Sequence, residues 1–311
     1  MISGDKIGDR SATDPVVAEW RAELQRDVAA SRRLDGSVDP RLVERRHYGR
    51  YLYVVIDWVL ALVLGQIVFA IPLLFVTVLI HFLTSGQTAT SSSISAYLQQ
   101  FAAHPPPVFN IAGFVTVDGS LILVLWLRLR QQKRGWDLFG LGTPPRRNAA
   151  TALATGLAVG VAALILSSII GALQDVTGFN DFLVKHHLGD PKAQAKALID
   201  PLKAAPAWVV AATVLIGTFL APAVEELFFR GYIFRAVASR KSLLAAYLTS
   251  GLAFAAAHLL VDQFIPLFAV GLLLCFAYQR TGNLLANYTA HAVNNGVSFA
   301  LFLISLLPHV H

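Results

Sequence analysis

This chain is short of charge. Of its 311 residues only 14% are Asp, Glu, Lys or Arg, against about 25% in an ordinary globular domain. With 55% hydrophobic residues and a mean hydropathy of +0.58, that deficit points to the membrane. A single cysteine, Cys275, excludes an internal disulfide and any multi-cysteine metal site. Segments of about ten residues alternating in polarity, the mark of a transmembrane barrel, are absent. The apolar runs are instead continuous and about twenty residues long. No basic strip with interleaved aromatics accompanies the net charge of +6, so nucleic acid is not a partner and loop arginines account for it. The N-terminus has no early apolar core, which excludes a secretory signal. What remains is an all-α protein, a polytopic transmembrane bundle of about seven or eight helices.

Hydropathy divides the chain into a polar tail at 1–50 and a transmembrane domain at 51–311. Seven spans are expected at 53–83, 108–127, 149–173, 207–230 with a helical extension, 243–260, 264–278 and 284–307. The first is long and contains Pro72, which predicts a tilt, kink or interruption. Asp14-Pro15 predicts a helix start in the tail, running to about Arg33 and solvated rather than docked. Ala152, Gly156 and Gly160 form a small-residue face suited to close helix packing.

Basic residues sort the loops. Arg128, Arg130, Lys133, Arg134, Arg146 and Arg147 crowd the second connection, and Arg235, Arg240 and Lys241 follow the fourth span. Arg280 follows the sixth, whereas the first connection, 84–107, has no charge. The positive-inside rule then places a multi-pass protein in the cell (inner or plasma) membrane with its N-terminus cytoplasmic. Trp58, Trp126, Trp136 and Trp208 fall near the expected boundaries as interfacial anchors. The longest external segment, 174–206, has room for a short helix.

Against this apolar background three polar groups stand out. Glu225, Glu226 and Arg230 arrive within six residues after an uncharged run. Each would cost roughly 2.5–3.5 kcal/mol at the centre of a membrane helix, so function is the first explanation to test. Phe254 and His258 are spaced four apart, as are His291 and Asn295, so each pair shares a helix face. Glu225 is turned about 100° from Glu226. The turn between spans four and five lies midway between Glu225 and His258, which puts the two at one depth. His291 and Asn295 rise to the same layer from their own turn. A purely structural network is the simpler alternative, but apolar replacements would serve stability better.

Glu-Glu-x-x-x-Arg, Phe-x-x-x-His and His-x-x-x-Asn, in that order on consecutive spans, resemble the CAAX protease and bacteriocin-processing family. Its members are intramembrane proteases that include the eukaryotic Ras-converting prenyl-protein endopeptidase. The resemblance covers about 207–307, and no motif residue departs from the pattern. It implies a membrane endopeptidase in which Glu225 and His258 activate a water against the scissile amide. Glu226, held by Arg230, orients the site, and His291 with Asn295 stabilises the developing oxyanion. The expected substrate is a membrane-associated protein or peptide, and the site is expected to open to the cytoplasm or the membrane interior. The family is often labelled metalloprotease, and Glu225, His258 and His291 are the residues that would hold zinc. The His-Glu-x-x-His signature of zinc proteases is absent, and a mechanism without cofactor is the preferred reading.

Other protease signatures are missing. The nearest approach to a serine site is Thr249-Ser250-Gly251, read as helix packing. Asp262 is read as solvent-facing, His186, His187, His309 and His311 as solvated, and Cys275 as packing. Two readings rival the peptidase. One is a proton-coupled carrier relaying through Glu225 and His258; the other is a catalytically silent scaffold that sequesters a membrane partner.

Overall fold

The computed structural model describes residues 15–22, 25, 51–103, 106, 108–132, 149–239 and 241–305. Every regular element among them is helical. In chain order these are α1 (Val54–Ser85), α2 (Ser91–Ala103), α3 (Val108–Gln132), α4 (Ala149–Val176), α5 (Phe179–Lys185) and α6 (Pro191–Lys203). There follow α7 (Ala207–Ala238), α8 (Leu243–Ala257), α9 (Phe264–Thr281) and α10 (Leu284–Ser305).

Five of the seven expected spans are long and apolar enough to cross a membrane: α1, α3, α4, α7 and α9. The other two differ for separate reasons. α8 has only 15 residues. α10 has 22, but it carries Asn287, His291, Asn294 and Asn295. The segment 174–206 holds two helices rather than one. The second starts on Asp190, whose carboxylate accepts from the Ala193 N–H at 3.0 Å, with Pro191 following in the first turn.

Prolines shape the long helices. Pro72 and Pro222 each follow a π-helical turn, Gly65–Ala70 in α1 and Ile216–Leu220 in α7. Proline has no N–H and its ring crowds the carbonyl four residues back, so the turn before it widens. The interruption expected at Pro72 is therefore a π-turn. A second π segment in α7, Leu227–Phe234, begins directly after Glu226.

Small residues set the helix spacing. A Cβ on Gly156 would lie 2.6 Å from the Ala286 carbonyl, and one on Gly160 2.8 Å from that of Ala290. The small face of α4 thus lets α10 approach closely, as its composition predicts. Likewise a Cβ on Gly271 of α9 would lie 3.1 Å from the Gly251 Cα of α8. These contacts fix the helices that carry the two histidine motifs.

The end of the bundle with the basic turns is closed. Phe228, Phe229, Tyr232 and Phe234 of α7 are buried. Below them lies residue segment 15–22, which is not solvated as expected: Val16, Val17 and Trp20 are buried against Phe234, Val237 and Tyr278. Trp20 stacks on Tyr278 at 5.2 Å, meets Phe234 edge-on at 6.1 Å, and has the Arg235 guanidinium 6.0 Å from its ring. Apolar burial outcompetes solvation for a helix with one valine- and tryptophan-bearing face. A buried polar knot lies on the same side. Asp57 of α1 accepts from Arg128 Nε of α3 at 2.6 Å and also from the Tyr232 hydroxyl of α7.

Trp126 and Trp208 are exposed as interfacial anchors would be, with Arg130 4.7 Å over the Trp126 ring, whereas Trp58 is half-buried against the core with its indole nitrogen enclosed and not an interfacial anchor. Cys275 is buried, Ser250 is buried and donates to the Phe229 carbonyl at 2.9 Å, and His186 and His187 are exposed. Asp262, in contrast, is buried rather than solvent-facing. Gln263 donates to its carboxylate at 3.0 Å and Gln174 to its carbonyl at 2.9 Å. Lys133, Arg134, Trp136, Arg146, Arg147, Arg240, His309 and His311 lie outside the described residues, as does most of the 1–50 tail.

Candidate active site

Glu226 is buried within α7. One carboxylate oxygen, Oε1, accepts from Arg230 Nη1 at 2.9 Å and from His291 Nδ1 at 2.8 Å. Arg230 is fully buried; its Nη2 donates to the Gly271 carbonyl at 3.1 Å. That bond depends on the close approach of α9 described above. The guanidinium also lies 4.6 Å over the Phe254 ring, a cation–π contact that matters most where water is absent. Phe254 packs edge-on against His258 at 4.9 Å and His291 at 5.5 Å. The aromatic residue of the second motif is thus the spacer between the two imidazoles.

Both histidines are held through Nδ1. His258 follows the last residue of α8 and donates from Nδ1 to the Phe254 carbonyl at 2.9 Å. The next residue, Leu259, takes φ +56°, a left-handed conformation that costs a leucine about 1–3 kcal/mol. The chain leaves the helix at that point, so His258 stands at its rim. His291 gives its Nδ1–H to Glu226, and its Nε2 faces Glu225 Oε2 at 3.9 Å. With Nδ1 committed in each ring, Nε2 is the atom left for chemistry. Asn295 donates to the Gly217 carbonyl at 2.9 Å, inside the first π-turn of α7.

Glu225 points elsewhere. It faces a cavity of about 750 Å³, shared with His258 and Asn295. Its Oε2 has no hydrogen-bond partner. The expected layer therefore exists in two parts: a buried triad of Glu226, Arg230 and His291, and a cavity floor of Glu225, His258 and Asn295. All six residues singled out in the sequence take part.

The cavity holds one carboxylate that motif reading missed. Asp118, on α3, lines the same space as Glu225, and its buried Oδ1 has no partner. It belongs to no motif. The signal was nevertheless present, because a lone carboxylate within an apolar span invites the cost argument that singled out Glu225.

Among the described residues no three His, Cys, Asp or Glu side chains converge closely enough to hold a metal ion. Glu225, His258 and His291 do not close around one point, so no step is derived through zinc.

Glu225, His258 and Asn295 thus line one cavity in a helical bundle, with His291 held just behind Glu225. Residues 206–297, which contain all three motifs, match the model of the family described as type II CAAX prenyl endopeptidase Rce1-like. The resemblance read from the motifs is borne out over that stretch. No curated protein and no solved structure gives a match.

Proposed function

We propose that the chain is an endopeptidase that cleaves a peptide bond of a membrane-associated protein or peptide, with Glu225 as the general base. The observation that carries this reading is the cavity, which Glu225 lines while its neighbour Glu226 is buried with one oxygen held by both Arg230 and His291. One carboxylate is committed to structure and the other is free to move a proton.

In this mechanism a water between Glu225 and His258 Nε2 attacks the amide carbon. Its proton passes to the Glu225 carboxylate as the new C–O bond forms. The carbonyl oxygen becomes an oxyanion, met by the free N–H of Asn295 and by His291 Nε2. This role requires a proton on each ring nitrogen of His291, one given to Glu226 and one to the oxyanion. The proton on Glu225 then passes to the amide nitrogen as the C–N bond breaks. General acid–base help of this kind supplies about 10²–10⁴-fold in rate. Asp118, across the cavity, is the second carboxylate able to share the water's proton.

The test is comparative membrane proteomics of cells carrying wild type or Glu225→Ala. Fragments with new termini in wild-type cells alone are expected. If they are equally abundant in the variant, the chain is a scaffold or carrier. Elemental analysis of the pure protein, with cleavage measured before and after chelation, addresses the metal. Unchanged cleavage is expected; stoichiometric zinc whose removal reversibly stops it would replace this mechanism.

A further inference from the structure

The cavity has a direction. Its floor is the polar layer at mid-depth in α7, and its walls come from one end of the bundle only. α3 contributes its first half, from Phe109 to Leu121, and α10 its second half, from Asn295 to Phe302. Ile199 and Leu202 of α6 overhang the space, and Leu260 and Gln263 of the α8–α9 connection border it. All of these belong to the end bearing the 86–107 and 174–206 connections. Toward the other end the route from Glu225 is filled by Phe228, Tyr232 and Phe234, with Trp20 packed beneath.

The two ends differ in charge. Arg128, Arg130, Arg235, Lys241 and Arg280 lie at the closed end, and the sequence of the same connections adds Lys133, Arg134, Arg146, Arg147 and Arg240. The open end has no Lys or Arg in 84–107 and only four Lys in 174–206, and it is this count of basic residues that sets orientation. A bundle with this asymmetry sits with its basic end in the cytoplasm.

We infer that the cavity opens to the extracytoplasmic face, so its substrate is a peptide segment presented on the outer side of the membrane and not a cytoplasmic tail. This reverses the sidedness expected from the sequence. The word peptide rests on the protease reading; the sidedness does not. The cavity walls, rich in phenylalanine and leucine and without Lys or Arg among the described lining residues, fit an apolar or basic segment rather than an acidic one.

Cysteine accessibility tests this without any substrate. Cys275 is the single cysteine and is buried, so the wild type serves as an unreactive background. Ser298→Cys on the cavity wall, Gln263→Cys at its rim and Lys241→Cys in the basic turn are expressed in the full chain. Each is exposed to a sulfonated, membrane-impermeant maleimide in spheroplasts, then after permeabilisation. Modification at 263 and 298 in spheroplasts, at least tenfold above wild type, is expected, with 241 reacting only after permeabilisation. The reverse pattern overturns the inference. So does failure of both 263 and 298 to react from either side. Missing proteolytic fragments would sink the peptidase reading and leave this labelling pattern standing.

Discussion

At the scale of single residues, the paired glutamates show how neighbours of one chemical type take opposite duties. Glu226 is a buried anchor whose removal strands Arg230 and unhooks His291. Breaking one partner of such a pair costs about 3–5 kcal/mol, so Glu226→Ala is expected to lower the unfolding midpoint in detergent markedly. Arg230→Met alone should do the same, and combining the two should cost much less than their sum. Glu225→Gln, facing an open cavity, should leave that midpoint nearly unchanged while fragment production falls at least a hundredfold. Asp118→Asn keeps the shape of the side chain but removes its ionisable carboxyl. It should not destabilise the protein, and fragment yield per molecule should drop about tenfold or more. Loss of stability in this variant would show that Asp118 has a structural role instead.

The scale of helices explains why the motif residues meet. α10 reaches the site because α4 offers glycine where any side chain would collide. Gly156→Leu is expected to push α10 outward, at an overpacking cost of about 1–3 kcal/mol, and to lower activity together with stability. Circular dichroism melts alongside fragment yield would separate this from a purely catalytic defect. Much of this architecture was legible beforehand. Apolar runs placed the long helices, the small-residue face foretold the α4–α10 contact, and residue spacing brought Glu225 and His258 to one depth. The π-turns were not legible, because widening depends on how the helix relieves each proline. The early end of α8 was also hidden: the left-handed turn at Leu259 falls on a residue that rarely adopts it. Asp118 escaped because attention to motifs passes over a carboxylate that stands alone.

For the whole molecule, the 15–22 segment is a keystone of the closed end. Its burial could not be read from composition, since eight residues do not reveal the aromatic pocket formed by α7 and α9. Trp20→Ala is expected to cost about 3–5 kcal/mol and lower the melting temperature, while cavity-wall labelling at 298 stays unchanged. Full reactivity of Lys241→Cys should increase in that variant as the plug loosens. The same reasoning separates the two halves of the protein. The packed basic end gives cohesion, and the end with the cavity holds Glu225, His258 and Asn295.

One proportion of the bundle reaches beyond the protein itself. A 15-residue α8 rises about 22 Å, well short of the roughly 30 Å of hydrocarbon that a bilayer presents. Its end, with His258 directly after it, therefore lies beneath the surrounding headgroups. Lipids beside it must compress or dip to meet the polar chain that follows. Such a dimple would carry water down to the floor and let a peptide lying along the surface slide inward sideways, without first leaving the bilayer.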